Sequence, residues 1–310
     1  MTLAPFEDVR PLLRAPGGGQ VSPETLADVS ARKRDGDGAA PPPVLVDFQR
    51  SVIEPGRADG AGRAPQIDRP NRSGVAAWVK RLLSPEKAET RRNLDRFLVA
   101  LRARSARPRV LVVGGGTVGQ GMGALYEAED VRLVAFDIYP TPLVQFVADA
   151  HAIPLADGAM DGVVVQAVLE HVLDPSAVVE EIARVLGPGG LVYAETPFMQ
   201  QVHEGAYDFT RFTESGHRNL FRRFERIDSG SCGGPGLAFM WSVDHLARGL
   251  LRSRSAGKLA KLMVFWVQYL DRLIPEAYAI DGASGVFFLG AKSERAIGPK
   301  EAVAHYQGAQ

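Results

Sequence analysis

Beyond Val110 the chain repeats one pattern: a short apolar run, then a helical or loop segment. The runs are VLVV (110–113), VRLVAFD (131–137), LVQFV (143–147), GVVVQAV (162–168) and LVYAET (191–196). Runs that stay apolar instead of alternating predict strands buried on both faces of a mostly parallel sheet. Between the fourth and fifth runs, Asp174-Pro175 predicts the start of an amphipathic helix with Val178, Val179, Ile182 and Leu186 inward. Gly187-Pro188-Gly189-Gly190 stops it. FERID (224–228) and GVFFLGA (285–291) predict a closing antiparallel pair. The sum is an α/β fold with a doubly wound, mostly parallel sheet. One connection breaks the pattern. Only Ile138 to Pro142 separate the second and third runs, whereas a parallel crossover normally needs about a dozen residues. Either the third run pairs differently or its crossover helix is deleted, and deletion is the favoured reading.

Upstream, Val75, Trp78, Val79 and Leu82 fall at helical spacing. Ser84-Pro85-Glu86 reads as a cap, a first-turn proline and a first-turn acid. Leu94, Phe97, Leu98 and Leu101 then form an i, i+3, i+4, i+7 stripe. Residues 1–73 read as a loosely ordered leader packed on the main domain. From Ala15 to Pro43, ten of 29 residues are Gly or Pro, a composition that favours irregular backbone. VLVDF (44–48) is its one candidate strand. Residues 74–310 form the main domain, which includes a helical insertion at 235–274. One insertion helix carries Phe239, Val243, Leu246 and Leu250. A second carries Leu262, Phe265, Trp266, Tyr269 and Leu273, with Arg248, Arg252, Arg254, Lys258 and Lys261 on a basic side. The pair can pack on the sheet, form a homodimer interface, wall an apolar substrate or contact a membrane surface.

Charge and cysteine narrow the function. Lys+Arg and Asp+Glu both number 36 among 310 residues, which argues against a nucleic-acid binder. A single cysteine, Cys232, excludes an intramolecular disulfide and a cysteine-based metal site. The N-terminal stretch lacks a signal-peptide pattern, and no apolar run reaches transmembrane length. The expectation is a cytoplasmic protein without a transmembrane segment.

VLVVGGGTVGQGMG (110–123) runs a strand into a glycine-rich turn. Gly114, Gly116 and Gly119 satisfy G-x-G-x-x-G, and Asp137 ends the next strand 23 residues after Gly114. Such a turn lets backbone approach a ligand, and the acid can accept from two ribose hydroxyls. On these residues alone an NAD(P)-dependent oxidoreductase is a fair reading. The downstream order separates the alternatives: Asp149-Ala150, Ile153-Pro154-Leu155, Asp161 opening a strand, VLEHV, and GPGG before another strand. Residues 108–228, with a weaker echo at 284–292, resemble the class I S-adenosylmethionine-dependent methyltransferases, whose fold is a Rossmann-like sheet.

The resemblance implies that Gly114 and Gly116 lie against the methionine part of the cofactor, Asp137 holds the ribose hydroxyls, Asp149 and the Ala150 backbone face adenine, and Gln166 lies beside the methyl group. Two departures stand out: Val112 replaces the acid that often precedes the glycine turn, and the missing crossover leaves the adenine side less enclosed. The implied reaction is methyl transfer to a small-molecule acceptor, a hydroxyl of a sugar-containing or secondary-metabolite compound. His203 or His171 is the candidate base, with Asp208 and Tyr207 positioning the acceptor. Glu170 could orient substrate, and an Arg211–Asp208 pair could instead close a polar lid. Histidines at metal-ligand spacing are missing, so no metal is expected. The leader segments RPLLRAPGGGQ (10–20) and PPPVLVDFQRSVI (41–53) resemble a zinc-ribbon module stripped of its cysteines. A non-catalytic binding module on the same fold is the remaining alternative.

Overall fold

The computed structural model describes residues 3–15, 19, 21, 42–55 and 88–310. The expected helix around Val75–Leu82 and the Ser84-Pro85-Glu86 cap lie outside the described residues. Helix α1 (Ala88–Arg102) buries Leu94, Phe97, Leu98 and Leu101, the stripe read from the sequence. Strand β1 (Arg109–Val113) leads through a glycine turn to a five-residue helix, α2 (Gly123–Glu127). Strands β2 (Arg132–Asp137), β3 (Phe146–Val147) and β4 (Met160–Gln166) follow. Helix α3 (Pro175–Val185) starts where Asp174 accepts from the Ala177 amide, a side-chain cap with proline in the first turn. It runs directly into β5 (Leu186–Pro197). Helix α4 (Glu214–Leu220), β6 (Phe224–Ser231), helices α5 (Pro235–Leu251) and α6 (Arg254–Met263), and β7 (Gly285–Lys292) complete the main elements.

The seven strands form one sheet in the order β3-β2-β1-β4-β5-β7-β6. The first five are parallel, and β7 lies antiparallel between β5 and β6. Alternation along each strand sends side chains to two cores. Leu111 and Val113 face a layer made by α3 and the leader, through Val178, Ile182, Val9, Leu13 and Leu45. Val110 and Val112 face α1 and α2, through Phe97, Leu101, Leu125 and Tyr126. A parallel sheet wound on both faces opens its ligand crevice at the carboxyl ends of its strands.

The short β2–β3 connection is a true deletion. Phe136 pairs parallel with Phe146 and Asp137 with Val147, and no helix intervenes. The leader covers this edge. Leu45 donates to the Val147 carbonyl and Val147 to the Pro43 carbonyl, both at 2.8 Å. VLVDF therefore contributes one bridge, Val44 to Val147, instead of a full strand. Leu3 and Leu13 bridge to Leu133 and Leu155.

The insertion departs from its hydrophobic pattern. Phe239, Leu246 and Leu250 are exposed, whereas Gly236, Ala238, Met240 and Asp244 are buried. Close backbone approach decides this. A Cβ at Gly236 would lie 2.6 Å from the Val267 carbonyl oxygen, and one at Gly257 would lie 2.8 Å from the Asp244 carbonyl oxygen. The helices thus meet through small residues, which bulky side chains would hold apart. The second expected helix breaks at Val264 into α6 and a 3-10 segment, Phe265–Leu273. Asp244 pairs inward with Arg248 and Lys261, and Asp271 accepts from the Gly236 and Leu237 amides at the start of α5.

Candidate functional site

The residues expected to bind a nucleoside gather at the carboxyl edge of the parallel strands. The three motif glycines each make room for a neighbouring strand end. Gly114 leaves β1 with φ +73°, and a Cβ there would lie 2.4 Å from Val168. A Cβ at Gly116 would lie 2.6 Å from Asp137 Oδ2, and one at Gly119 would lie 1.8 Å from Gln166 Oε1. The positive φ at Gly114 favours glycine, and at Gly116 and Gly119 a side chain would displace the Asp137 and Gln166 side-chain ends. The Gly116 N–H donates to Asp137 Oδ2 at 2.8 Å, and the Ile138 N–H donates to Oδ1 at 2.7 Å. Burial pushes the Asp137 carboxyl up to about 6, against the opposing pull of these two donors. Each of its oxygens keeps a further acceptor position for a ligand hydroxyl.

Asp149, just past β3, is nearly buried. Its Oδ1 accepts from the His151 amide at 2.9 Å and faces His151 Nδ1 at 2.7 Å, while Ser51 of the leader donates to Oδ2. Burial alone would raise this carboxyl, but the His151 and Ser51 hydrogen bonds outweigh it and hold it below the usual range. Ala150 is buried in the 3-10 turn that follows. The deleted crossover was expected to leave this side open. The leader fills that place, and nothing local to Asp149 in the sequence announces Ser51, 98 residues away.

Gln166 ends β4 and donates to the Gln120 carbonyl at 3.1 Å and to Glu195 Oε2 at 2.7 Å. Glu195 is buried near the end of β5 and also accepts from Thr90 at 2.6 Å and from Tyr193. The only trace of this network in the sequence is a carboxylate inside the apolar run LVYAET. Ala167 follows with φ +54°. A left-handed non-glycine residue is uncommon, and such strain concentrates at working sites.

The loop after β5 meets the segment after β4. The His171 Nδ1 lies 2.7 Å from the Tyr207 carbonyl. A carbonyl can only accept, so Nδ1 carries the proton and Nε2 keeps its lone pair. Burial and the nearby His203 hold His171 below its ordinary pKa, in the neutral form. His203 Nδ1 lies 3.2 Å from Asp208 Oδ2, and the two imidazole rings meet edge to face at 4.9 Å. Asp208 was expected to face an acceptor. Instead its side chain is 1% exposed and turns inward, where it takes Arg211 and the His203 amide. Burial opposes its charge, but Arg211 and His203 hold the carboxyl down to about 2. Tyr207 engages His171 through its backbone carbonyl. Glu170, Nε2 or Nδ1 of His171, and a His203 nitrogen bring three donor atoms within 4.8 Å of one another. No helical spacing reveals this cluster, because its two histidines lie on separate loops.

Residues 111–194 match a family described as the methyltransferase domain. A comparison with the curated proteins gives no match. Among solved structures, the chain is similar to a Galdieria sulphuraria protein described as a sarcosine dimethylglycine methyltransferase, at 16% identity and TM-score 0.44, covering 66% of this chain and 86% of that one. A Haemonchus contortus phosphoethanolamine N-methyltransferase 2, solved with phosphomonomethylethanolamine and S-adenosylhomocysteine, is 16% identical at TM-score 0.43, covering 74% and 60%. YcgJ from Bacillus subtilis is 15% identical at TM-score 0.38, covering 65% and 99%. The dinucleotide alternative gives way on two counts: the family match, and the antiparallel β7 set between β5 and β6, which the 3-2-1-4-5-6 dinucleotide order does not contain. Residues 111–194 thus match the methyltransferase-domain family, over the stretch that runs from the first strand through the glycine turn to the fifth strand.

Proposed function

We propose that this methyltransferase acts on a hydroxyl of a sugar-containing or secondary-metabolite small molecule, with His203 as general base. The observation that carries the reading is the Asp208–His203 pair beside the ends of β4 and β5. An amine or thiol acceptor often needs no base, whereas a hydroxyl gains about 10²–10⁴-fold from one. A buried carboxylate on Nδ1 fixes the imidazole and leaves Nε2 to take the hydroxyl proton. His171 stays neutral beside it and, with Tyr207, shapes the acceptor side. The acceptor is a small molecule, and no nucleic acid is part of the reading.

The strand ends fit the donor. Asp137 would hold the ribose hydroxyls, Asp149 and Ala150 the adenine, Gly114, Gly116 and Gly119 the methionine side, and Gln166, braced by Glu195, the region of the methyl group. When bound, S-adenosylmethionine supplies a methyl group on a sulfonium sulfur. The chain's own work is to hold the acceptor oxygen in line and remove its proton, and alignment can contribute about 7–11 kcal/mol. No metal enters this reading. We place the chain in the cytoplasm; among the described residues no helix is long and apolar enough to cross a membrane.

The test is transfer of a labelled methyl group to a panel of glycosylated hydroxyl, amine and thiol compounds, after dialysis against a chelator. Methyl ethers formed by the chelator-treated enzyme are the expected result. Turnover confined to amines or thiols, or abolished by the chelator and restored by a divalent ion, would overturn the reading. A smaller effect is expected at the adenine side. Ser51→Ala removes one donor to the Asp149 carboxylate, and calorimetry should show S-adenosylhomocysteine binding about three- to tenfold weaker.

A further inference from the structure

The insertion presents an apolar face that the fold leaves uncovered. Leu250 is 74% exposed, Trp266 54% and Leu273 79%. In α6 the buried positions are Gly257 and Ala260. At about 100° per residue, Leu259, Leu262 and Met263 occupy the opposite, exposed arc, and Lys258 and Arg254 lie along one rim of it. The α5–α6 corner adds Leu250 and Leu251 beside Arg252, which takes φ +48° to make the turn.

The charge of this region is unlike that of the whole chain. Residues 235–274 hold six basic residues and two acidic ones, within a protein of zero formal charge. Both acids point inward: Asp244 is 5% exposed, and Asp271 serves the start of α5. Arg252, Arg254, Lys258 and Arg272 are exposed around the apolar residues. Exposed leucines and a tryptophan rimmed by lysine and arginine match a helix lying in a membrane interface. The long basic side chains can reach outward while their stems cover apolar surface.

We propose that this face docks on an anionic lipid bilayer. Charge complementarity selects that occupant over a second copy of the chain. A two-fold interface sets a patch against itself, so the basic rim would meet the same basic rim with no outward acid to balance it. Anionic headgroups instead attract each lysine or arginine near the surface. The face also adjoins the acceptor loop, because Gln201 donates to Ser242 of α5 at 2.9 Å. A docked chain would thus bring that loop toward the bilayer.

The test is flotation of the full chain with vesicles of phosphatidylcholine alone, and of phosphatidylcholine mixed with phosphatidylglycerol, at low and high salt. Light scattering across a range of protein concentrations runs beside it. The chain should float with the mixed vesicles, float poorly with the neutral ones, and detach as salt rises. Arg254→Glu and Lys258→Glu should each lower partitioning about tenfold or more, and Trp266→Ser should also lower it. The thermal midpoint, S-adenosylhomocysteine affinity and monomeric scattering should stay unchanged. Failure to float with either vesicle, or equal flotation with both, would overturn the proposal. So would a concentration-dependent dimer that the same variants dissolve, which would make a second copy the occupant.

Discussion

The His203→Ala variant is expected to lose about 10²–10⁴ in kcat while binding S-adenosylhomocysteine as the parent chain does. The asymmetry follows from where His203 sits. It lies in the loop after β5, on the side proposed for the acceptor. Its Nδ1 faces Asp208, whose carboxylate is anchored by Arg211 and closed off from solvent. On the proposed reading this contact aims the imidazole and leaves Nε2 as the proton-accepting nitrogen. Removing the ring deletes the proton acceptor and leaves the anchor intact. Added imidazole should restore part of the rate in His203→Ala, a rescue that a merely structural role would not give. Asp208→Asn tests the same pair from behind. Asparagine keeps the shape but leaves Arg211 without its charge partner, so its thermal midpoint must be read beside its kcat. His171→Ala should cost less than His203→Ala, because His171 is tied to the Tyr207 carbonyl and serves as a neighbour. Wild-type kcat in His203→Ala on a hydroxyl acceptor would remove the base assignment.

These expectations show unevenly what a sequence carries. The sheet was legible because parallel strands buried on both faces need runs of apolar residues, and few other arrangements produce five of them in order. The glycine-lined edge of the sheet was legible for a related reason. A Cβ at Gly114, Gly116 or Gly119 would crowd Val168, Asp137 or Gln166, and that crowding matches a glycine spacing visible in one dimension. The acceptor side was only half legible. The sequence supplied His171, His203 and Asp208, yet their roles depend on which nitrogen meets which oxygen, and rotamers leave no periodic signal. Ser51 was illegible, because its partner Asp149 lies 98 residues away. The insertion misled in a specific way. Its apolar period marked Phe239, Leu246 and Leu250, but Gly236 and Gly257 let backbones close to contact, and the helices followed the small residues. Where hydrophobic pattern and close approach disagree, the pattern is left on the surface, which is why the apolar face calls for a partner.

Asp137 carries the second large effect, and it has two opposite signs. Asp137→Ala is expected to weaken S-adenosylhomocysteine binding by about 2–4 kcal/mol, roughly 30- to 1,000-fold, since hydrogen bonds to a charged acceptor contribute about 1.5–3 kcal/mol each. The wild-type affinity should also depend on pH. Burial holds the Asp137 carboxyl up at about 6, so it is ionised at pH 7.5 and protonates as the pH falls through about 6. A protonated carboxyl offers the ribose hydroxyls a poorer acceptor, so the affinity should fall over that range, and Asp137→Asn should flatten the dependence. Stability runs the other way. The carboxyl titrates higher in the folded chain than in the unfolded chain, so the fold favours its neutral form. Its contribution is fully present below the unfolded value of about 4 and is lost as the pH rises through about 6. Without cofactor, the stability of Asp137→Asn relative to the parent should therefore improve from pH 5 to pH 8, by the order of 1 kcal/mol. Thermal scans across that range, with and without S-adenosylhomocysteine, separate the two effects. A parent chain whose affinity and relative stability both stay flat from pH 5 to 8 would show that Asp137 is neither strained by burial nor the acceptor of the ribose. The joint pattern, an Asp137→Asn variant that gains stability relative to the parent with rising pH while its cofactor affinity no longer depends on pH, is what a buried binding carboxylate demands: the desolvation that costs the empty fold is offset only when ligand hydroxyls meet the charge.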